Sequence, residues 1–436
     1  MRDVVAVQPP RSAYLHIPFC HRRCFYCDFA VVPLGDRANG ATGSGSKSIQ
    51  AYLQLLHREI ALINPGPMLA TVYIGGGTPS LLSPSQIGVL LHLLRQKFGV
   101  QPGAEITLEM DPASFDQAYL DAVLEVGINR VSLGGQSFDD SLLEQLGRRH
   151  RRHHLLEACG WLDQAYQRRE IKSWSLDLIQ NLPGQQLVAW KQQLAEAIGT
   201  GSPHLSVYEL SIEPGTVFAW RQRRGELHLP DEDLAIELMH CTSFLLRQAG
   251  FARYEIFIYA LPGHASRHNR VYWSGAGWWG FGQGATSAPW GQRLARPRTR
   301  DGYRGWLEVQ EAEGLDVSLT ASKASPLPLD EQLLVGLRCR EGVDLEALCM
   351  AWGWTEQQCK ALLPSLQLRW QAAVDRGWLR LQGRRWQLID PQGMDISNQV
   401  LVELLLWWQS LPADAIASAN LGGLPRKVGD LESKLD

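Results

Sequence analysis

Nowhere does this sequence approach the ~18 uninterrupted apolar residues that a membrane-crossing helix requires, and Met1 to Pro10, with mixed charge and two prolines, lacks the apolar stretch of a secretory signal. The expected compartment is therefore the cytoplasm. A surplus of one charge is missing too: 42 Lys and Arg against 45 Asp and Glu leave a net charge of −3, so no global field favours nucleic acid or a membrane surface as partner. Disorder is excluded by 45% hydrophobic and 20% charged residues. A disulfide framework is absent as well: Cys159, Cys241, Cys339, Cys349 and Cys359 are scattered, unlike the pattern of a small secreted domain. The other three cysteines, Cys20, Cys24 and Cys27, are crowded together and need a different explanation.

What is present is alternation. From Ala13 to Ile258 short β-type runs (Tyr14-Leu15, Thr71 to Ile74, Ile106 to Met110, Arg130 to Leu133, Trp174 to Ile179, Leu205 to Leu210, Tyr254 to Ile258) alternate with helical patterns, as in parallel strands joined by crossover helices. Ile49, Leu53, Leu56, Ile60 and Ile63 share one helix face, and Ser83-Pro84-Ser85-Gln86 reads as a capping box with proline at the first helical position. The string predicts an α/β fold, an incomplete (β/α) barrel, with an open doubly wound sheet as the alternative.

A chain of 436 residues also exceeds the ~250 to 300 at which one core stops growing, so two units are expected: a barrel over 1–300, a linker over 301–328 and a smaller, mainly helical domain over 329–436. In the last, helical patterns over Leu345 to Trp352 and Gln357 to Val374 precede strands Trp378 to Leu381 and Trp386 to Ile389 around Gly383, a winged-helix-like order. Its arginines Arg376, Arg380, Arg384 and Arg385 read as a solvated hairpin or docking module rather than a nucleic-acid contact. Asn39 to Ser48, rich in Gly, Ser and Thr, reads as a flexible loop inserted after the cysteines.

Cys20 to Cys27 has the spacing C-x3-C-x2-C. Thiolates this close can wrap three corners of one iron-sulfur cube and leave the fourth iron open to chelation. A zinc ion completed by His16 or His21, or three unrelated buried cysteines, are the competing readings. Arg22 and Arg23 add positive charge that favours thiolates. Gly75-Gly76-Gly77-Thr78 follows the strand Thr71 to Ile74, where glycines let backbone amides approach a ligand at the carboxyl end of a strand; it is not a Rossmann fingerprint. Glu109, closing the strand Ile106 to Met110, can point into the same mouth and suits an ammonium or ribose hydroxyls, the plain alternative being a strand-end salt bridge.

In this order the motifs resemble the oxygen-independent coproporphyrinogen III oxidase-like radical S-adenosylmethionine (SAM) proteins. The resemblance runs from Tyr14-Leu15-His16-Ile17-Pro18-Phe19-Cys20 through Gly75 to Ser80, Glu109 to Pro112, Gly127 to Phe138, Gly147 to His150, Asp177 to Gln185, Glu213 to Thr216, His268 to Trp273 and Gly280 to Ala285, with a weaker match around Leu337-Arg338. It implies a [4Fe-4S] cluster on Cys20, Cys24 and Cys27, and SAM bound among Tyr14, Tyr26, Gly76, Gly77, Thr78, Glu109, Gln136, Arg148 and Asp177. It further implies an electron donor to the cluster, whose electron cleaves the SAM sulfonium. No residue is thereby assigned as catalytic.

Within that family the dehydrogenases, which decarboxylate coproporphyrinogen III, extend the motif to a fourth cysteine. Here that position is Phe29, as in the HemW-type branch, whose members bind heme and deliver it to hemoproteins. His268-Asn269-Arg270-Val271-Tyr272-Trp273 matches the H-N-x-x-Y-W signature of that branch, so His268 is expected in a loop as an axial heme ligand, with Tyr272 and Trp273 against the porphyrin. The implied partners are heme and recipient hemoproteins, membrane-bound acceptors included, with coproporphyrinogen III dehydrogenation as the alternative activity. Three departures stand out: Phe257-Ile258 replaces a polar pair, Gly135 the usual valine and Asn181 the usual glycine.

Overall fold

The computed structural model describes residues 10–43, 45–64, 66–289, 293–314 and 328–421. Its centre is one nine-stranded sheet built from β1 (Ser12–Ile17), β2 (Leu69–Gly76), β3 (Val100–Met110), β4 (Arg130–Gln136), β5 (Ser173–Gln180), β6 (His204–Glu209), β7 (Ala252–Glu255), β8 (Ile258–Ala260) and β9 (Trp279–Phe281). The spatial order is β9-β1-β2-β3-β4-β5-β6-β8-β7. β9 and β1 to β6 run parallel, and β8 lies antiparallel to both β6 and β7. Among the described residues the two ends of the sheet are not paired, so the (β/α) barrel is partial.

Side-chain alternation explains this architecture. Along β1 to β6 one register, including Leu15, Val72, Ile74, Leu108, Val131, Leu176 and Leu205, is fully buried in the main apolar core beneath the crossover helices. The other register is polar, with Tyr14, Tyr73, Thr107, Ser132, Ser175 and Ser206 facing the barrel interior. Each buried Leu or Ile contributes roughly 1.5–3 kcal/mol, so the apolar register fixes the strands and leaves the interior free for chemistry. The helix Pro84–Lys97 begins as expected, Ser83 Oγ accepting from the Gln86 amide and Gln86 Oε1 from the Ser83 amide, and it buries Ile87, Leu90, Leu91 and Leu94.

Three expectations change. Tyr254 to Ile258 is not one parallel strand: β7 ends at Glu255, whose carboxylate accepts from the Phe257 amide at 3.0 Å, and the chain turns back into β8. Of the Asn39 to Ser48 segment, the described residues 39–43 and 45–48 are turned rather than free, for Asn39 Oδ1 accepts from the amides of Ala41 and Thr42, Gly40 O accepts from Gln86, and the helix Ser46–Leu62 has begun by Ser46. The segment read as a linker starts with the helix Arg300–Glu313, which places Tyr303 and Leu307 in the main core. Buried Glu59 anchors it, accepting from Tyr303 Oη (2.6 Å), Arg296 Nε (2.7 Å) and the Gly282 amide (2.7 Å). Most of the remaining linker expectation, at 315–327, lies outside the described residues.

A second apolar core gathers Trp352, Trp354, Trp370, Trp386, Trp407 and Trp408 among the helices Leu329–Leu337, Leu345–Ala351, Glu356–Arg369 and Ser397–Gln409, the segments that join them, and the antiparallel pair Leu379–Gln382 and Arg385–Leu388. Arg253 with Asp395, Arg338 with Glu255 and Arg270 with Glu341 join it to the barrel. Among the described residues no helix is long and apolar enough to cross a membrane.

Candidate cofactor-binding site

A cavity of about 430 Å³ opens at the carboxyl ends of β2 to β6, where ligands of parallel α/β proteins bind. Its wall holds Cys20, Cys24, Cys27, Tyr26, Gly76, Gly77, Thr78, Glu109, Gln136, Arg148 and Asp177, residues drawn from six separate stretches of chain. Tyr14 and His268 are not part of it. Tyr14 sits behind the wall, its hydroxyl 2.9 Å from His16 Nδ1 and its ring against Tyr73.

The cysteine loop is held by backbone on both sides. The Phe25 amide donates to Leu146 O at 2.9 Å, the Phe218 amide donates to Phe25 O at 3.0 Å, and the Cys27 amide donates to Cys24 O at 3.2 Å. Burial pushes the Cys20 thiol up to about 12 and raises Cys27, so metal binding must supply the free energy of their deprotonation. Among the described residues no three His, Cys, Asp or Glu side chains close on a single point as one metal ion would need. The three thiols share one cavity instead, a donor set that fits a larger inorganic unit held at three corners.

The glycine run makes room beside these thiols. A Cβ on Gly77 would meet Phe19 O at 2.6 Å and Cys20 Sγ at 2.8 Å, and Gly76 has φ +119°, a conformation closed to other residues. The Gly76 amide donates to Glu109 Oε2 at 2.9 Å while Tyr73 Oη donates to Oε1 at 2.8 Å. Burial nevertheless raises Glu109 to about 7, against the pull of those two bonds. Asp177, taking the Ser132 hydroxyl at 2.8 Å, is likewise raised by desolvation. Two acids thus line one cavity, an arrangement suited to an ammonium or a polyol.

Opposite them Arg148 donates to Asp111 Oδ2 and Gly134 O, both at 2.7 Å, and to Cys24 Sγ at 3.6 Å. Burial pushes Asp111 upward, yet the Arg148 cation and the His150 ring hold it well below the usual carboxylate range. Asp111 and Ser132 line the cavity and were not singled out from sequence. Asp111 does lie inside the Glu109 to Pro112 motif, and Ser132 pairs with Glu109 across the sheet, so strand register is the signal that could have found them.

Two departures from the family pattern find physical reasons. Asn181 has φ +61°, a region where asparagine is the best substitute for glycine. A Cβ on Gly135 would meet Leu176 at 2.7 Å and Leu155 at 3.1 Å, so these leucines occupy the space a valine would fill. Phe257, in place of a polar residue, packs near Tyr208 of the cavity wall and under the Arg338 guanidinium, which also covers Trp273.

His268 requires a correction. It lies in the helix Arg267–Ser274, not a loop, and is fully buried. Its Nδ1 is hydrogen-bonded to Thr71 Oγ1 at 2.7 Å and its Nε2 to Tyr272 Oη at 2.9 Å, while its ring stacks on Tyr73 with centroids 5.1 Å apart. Burial lowers it to about 3, so the ring is neutral and both nitrogens are engaged. It offers no nitrogen to a heme iron in this arrangement.

Residues 14–187 match the Radical SAM superfamily. The chain is 38% identical to the heme chaperone HemW of Synechocystis sp. over 91% of its own length and 96% of that protein, and 33% identical to the heme chaperone HemW of Lactococcus lactis over 78% and 84%. Among solved structures, coproporphyrinogen III oxidase (HemN) from Escherichia coli superimposes with a TM-score of 0.73 at 20% identity, covering 92% of this chain and 91% of that one, a likeness of fold.

Proposed function

Because the chain belongs to the HemW family of radical SAM proteins, we propose that it binds heme and delivers it to hemoproteins, and that the cavity between Cys20 and Asp177 holds its [4Fe-4S] cluster and SAM. The observation that carries this reading is the composition of the cavity wall: three thiols, Cys20, Cys24 and Cys27, and at the next motif position a phenylalanine, Phe29, with 59% of its surface exposed. When bound, the cluster and SAM would supply the one-electron chemistry.

The remaining work falls to side chains. Cys20, Cys24 and Cys27 would hold the cluster. The glycines at 76 and 77 would leave room for the cofactor, and Glu109, Asp177 and Gln136 would orient its polar groups. Tyr26 and Thr78 complete the wall. The cluster would need an electron donor, and the acceptors of heme are hemoproteins, in solution or at a membrane.

Anaerobically purified protein tests the reading through iron and sulfide content, spectra with and without added heme, and product analysis with coproporphyrinogen III, SAM and reductant. A cluster, a heme spectrum and no protoporphyrinogen IX are expected. Robust decarboxylation would replace the chaperone with the dehydrogenase.

A further inference from the structure

The mutual placement of Asp111, Arg148 and Cys24 bears on the electron that enters the site. Arg148 is almost wholly withdrawn from water, its side chain 12% exposed, and Asp111 is 15% exposed. One guanidinium nitrogen, Nη2, is fixed by Asp111 Oδ2 and Gly134 O, and this leaves Nη1 directed at the Cys24 sulfur, 3.6 Å away. Asp111 is itself held: its Oδ1 accepts from the Ala113 amide at 3.0 Å, and its own amide donates to Ser80 Oγ at 3.2 Å. His150 flanks it, Nδ1 standing 3.8 Å from Oδ2 while Nε2 is hydrogen-bonded to Gly135 O at 2.9 Å. A carboxylate held by the Ala113 amide and flanked by His150 therefore aims a buried cation at a cluster ligand.

We propose that Arg148 raises the reduction potential of the cluster by donating to Cys24 Sγ, and that Asp111 is the positioning residue that keeps it there. The proposal rests on the cluster assignment made above. Its physical basis is that reduction adds negative charge to the iron-sulfur unit and its thiolates, and a cation or N–H donor against a sulfur stabilises that charge. The low dielectric around a buried guanidinium strengthens the effect.

Two substitutions give opposite charge changes, which makes the test sharp. Full-length protein is reconstituted anaerobically, assayed for iron and sulfide, and titrated electrochemically with electron paramagnetic resonance detection, without SAM. Arg148→Gln removes the cation and strands the Asp111 carboxylate, so the midpoint potential should fall. Asp111→Asn removes a negative charge, which by charge alone would raise the potential; if Asp111 positions Arg148, the guanidinium leaves the sulfur and the potential falls instead. An unchanged or higher potential in Arg148→Gln overturns the tuning role, and an unchanged or higher potential in Asp111→Asn overturns the positioning role. If either variant fails to assemble a cluster, Arg148→Lys replaces it: this keeps the charge without the planar fork and should lower the potential, and a wild-type value overturns the proposal. Failure of the wild-type protein to hold a four-iron cluster would sink the cofactor assignment instead, a result distinct from all of these.

Discussion

Gly77 and Cys20 stand so close that a single added carbon on the glycine would come 2.8 Å from the thiol sulfur. That contact links the glycine run to the cysteine loop, two motifs separated by the whole helix Ser46–Leu62 and strand β2.

Gly77→Ala is therefore expected to lower iron content sharply in a reconstituted protein that still folds. Gly160→Ala is the control. Gly160 lies within the helix Arg152–Gln167 with nothing within 4 Å of the new carbon, so that change should leave iron untouched and stabilise the fold by roughly 0.5–1 kcal/mol. Iron analysis and chemical denaturation check both; equal iron in the two variants would show that the close approach is not needed.

Only three cysteines should matter for iron. Cys20, Cys24 and Cys27 share the cavity, whereas Cys159 and Cys349 are buried in the two apolar cores. Alanine at any of the first three should abolish the brown colour of the anaerobic protein. Cys159→Ala and Cys349→Ala should keep it, with a stability loss of about 1 kcal/mol for the deleted buried sulfur. Iron loss in Cys159→Ala with folding intact would break the three-ligand assignment.

Glu109 gives the site a pH dependence. Raised by burial to about 7, it is protonated in the folded chain at lower pH and, with SAM bound as proposed, would then offer no charge to its ammonium. SAM affinity should climb as pH rises from about 6 to about 8, and Glu109→Gln should bind weakly and without that slope. The stability sign is opposite: the folded state holds this proton more tightly than the unfolded chain, so the stabilisation is present at low pH and fades as pH rises through about 7. Calorimetry at several pH values measures the first effect and denaturation the second. A flat affinity profile in the wild type would remove Glu109 from the ammonium and leave it to the ribose.

Most of the barrel was legible because the strands carry strict alternation, and the cavity because its residues close those strands. Ser132 was legible only through register, becoming a wall residue once Glu109 lies beside it across the sheet, and Asp111 only through its place in the Glu109 to Pro112 motif. The short strand Trp279–Phe281 was hidden, being three residues in a glycine-rich run that β1 recruits as a neighbour. The turn at Ile256-Phe257 was hidden too, because an unbroken apolar run looks like one strand when a buried carboxylate, here Glu255, is what reverses it.

His268 was misplaced for a related reason. Its motif was legible, but a histidine shows nothing in sequence of whether its nitrogens face a cavity or a core. In the fold, Ser266 caps the helix Arg267–Ser274, and Glu105 accepts from the amides of Arg267 and His268, driving the ring inward between Thr71 and Tyr272. There it supports Tyr73, whose hydroxyl donates to Glu109. The signature histidine thus reaches the cavity through Tyr73, which lines it, and touches no solvent. His268→Ala should strand the hydroxyls of Thr71 and Tyr272 at a cost of about 1–3 kcal/mol each and, by freeing Tyr73, weaken SAM binding while the heme spectrum persists. His268→Phe keeps a ring over Tyr73 without the two hydrogen bonds, so it should lose stability yet bind SAM more nearly as the wild type does. Denaturation, SAM calorimetry and heme titration on both variants separate the outcomes. Loss of the heme spectrum with unchanged SAM affinity would return His268 to the iron, and would require the helix to open before heme arrives.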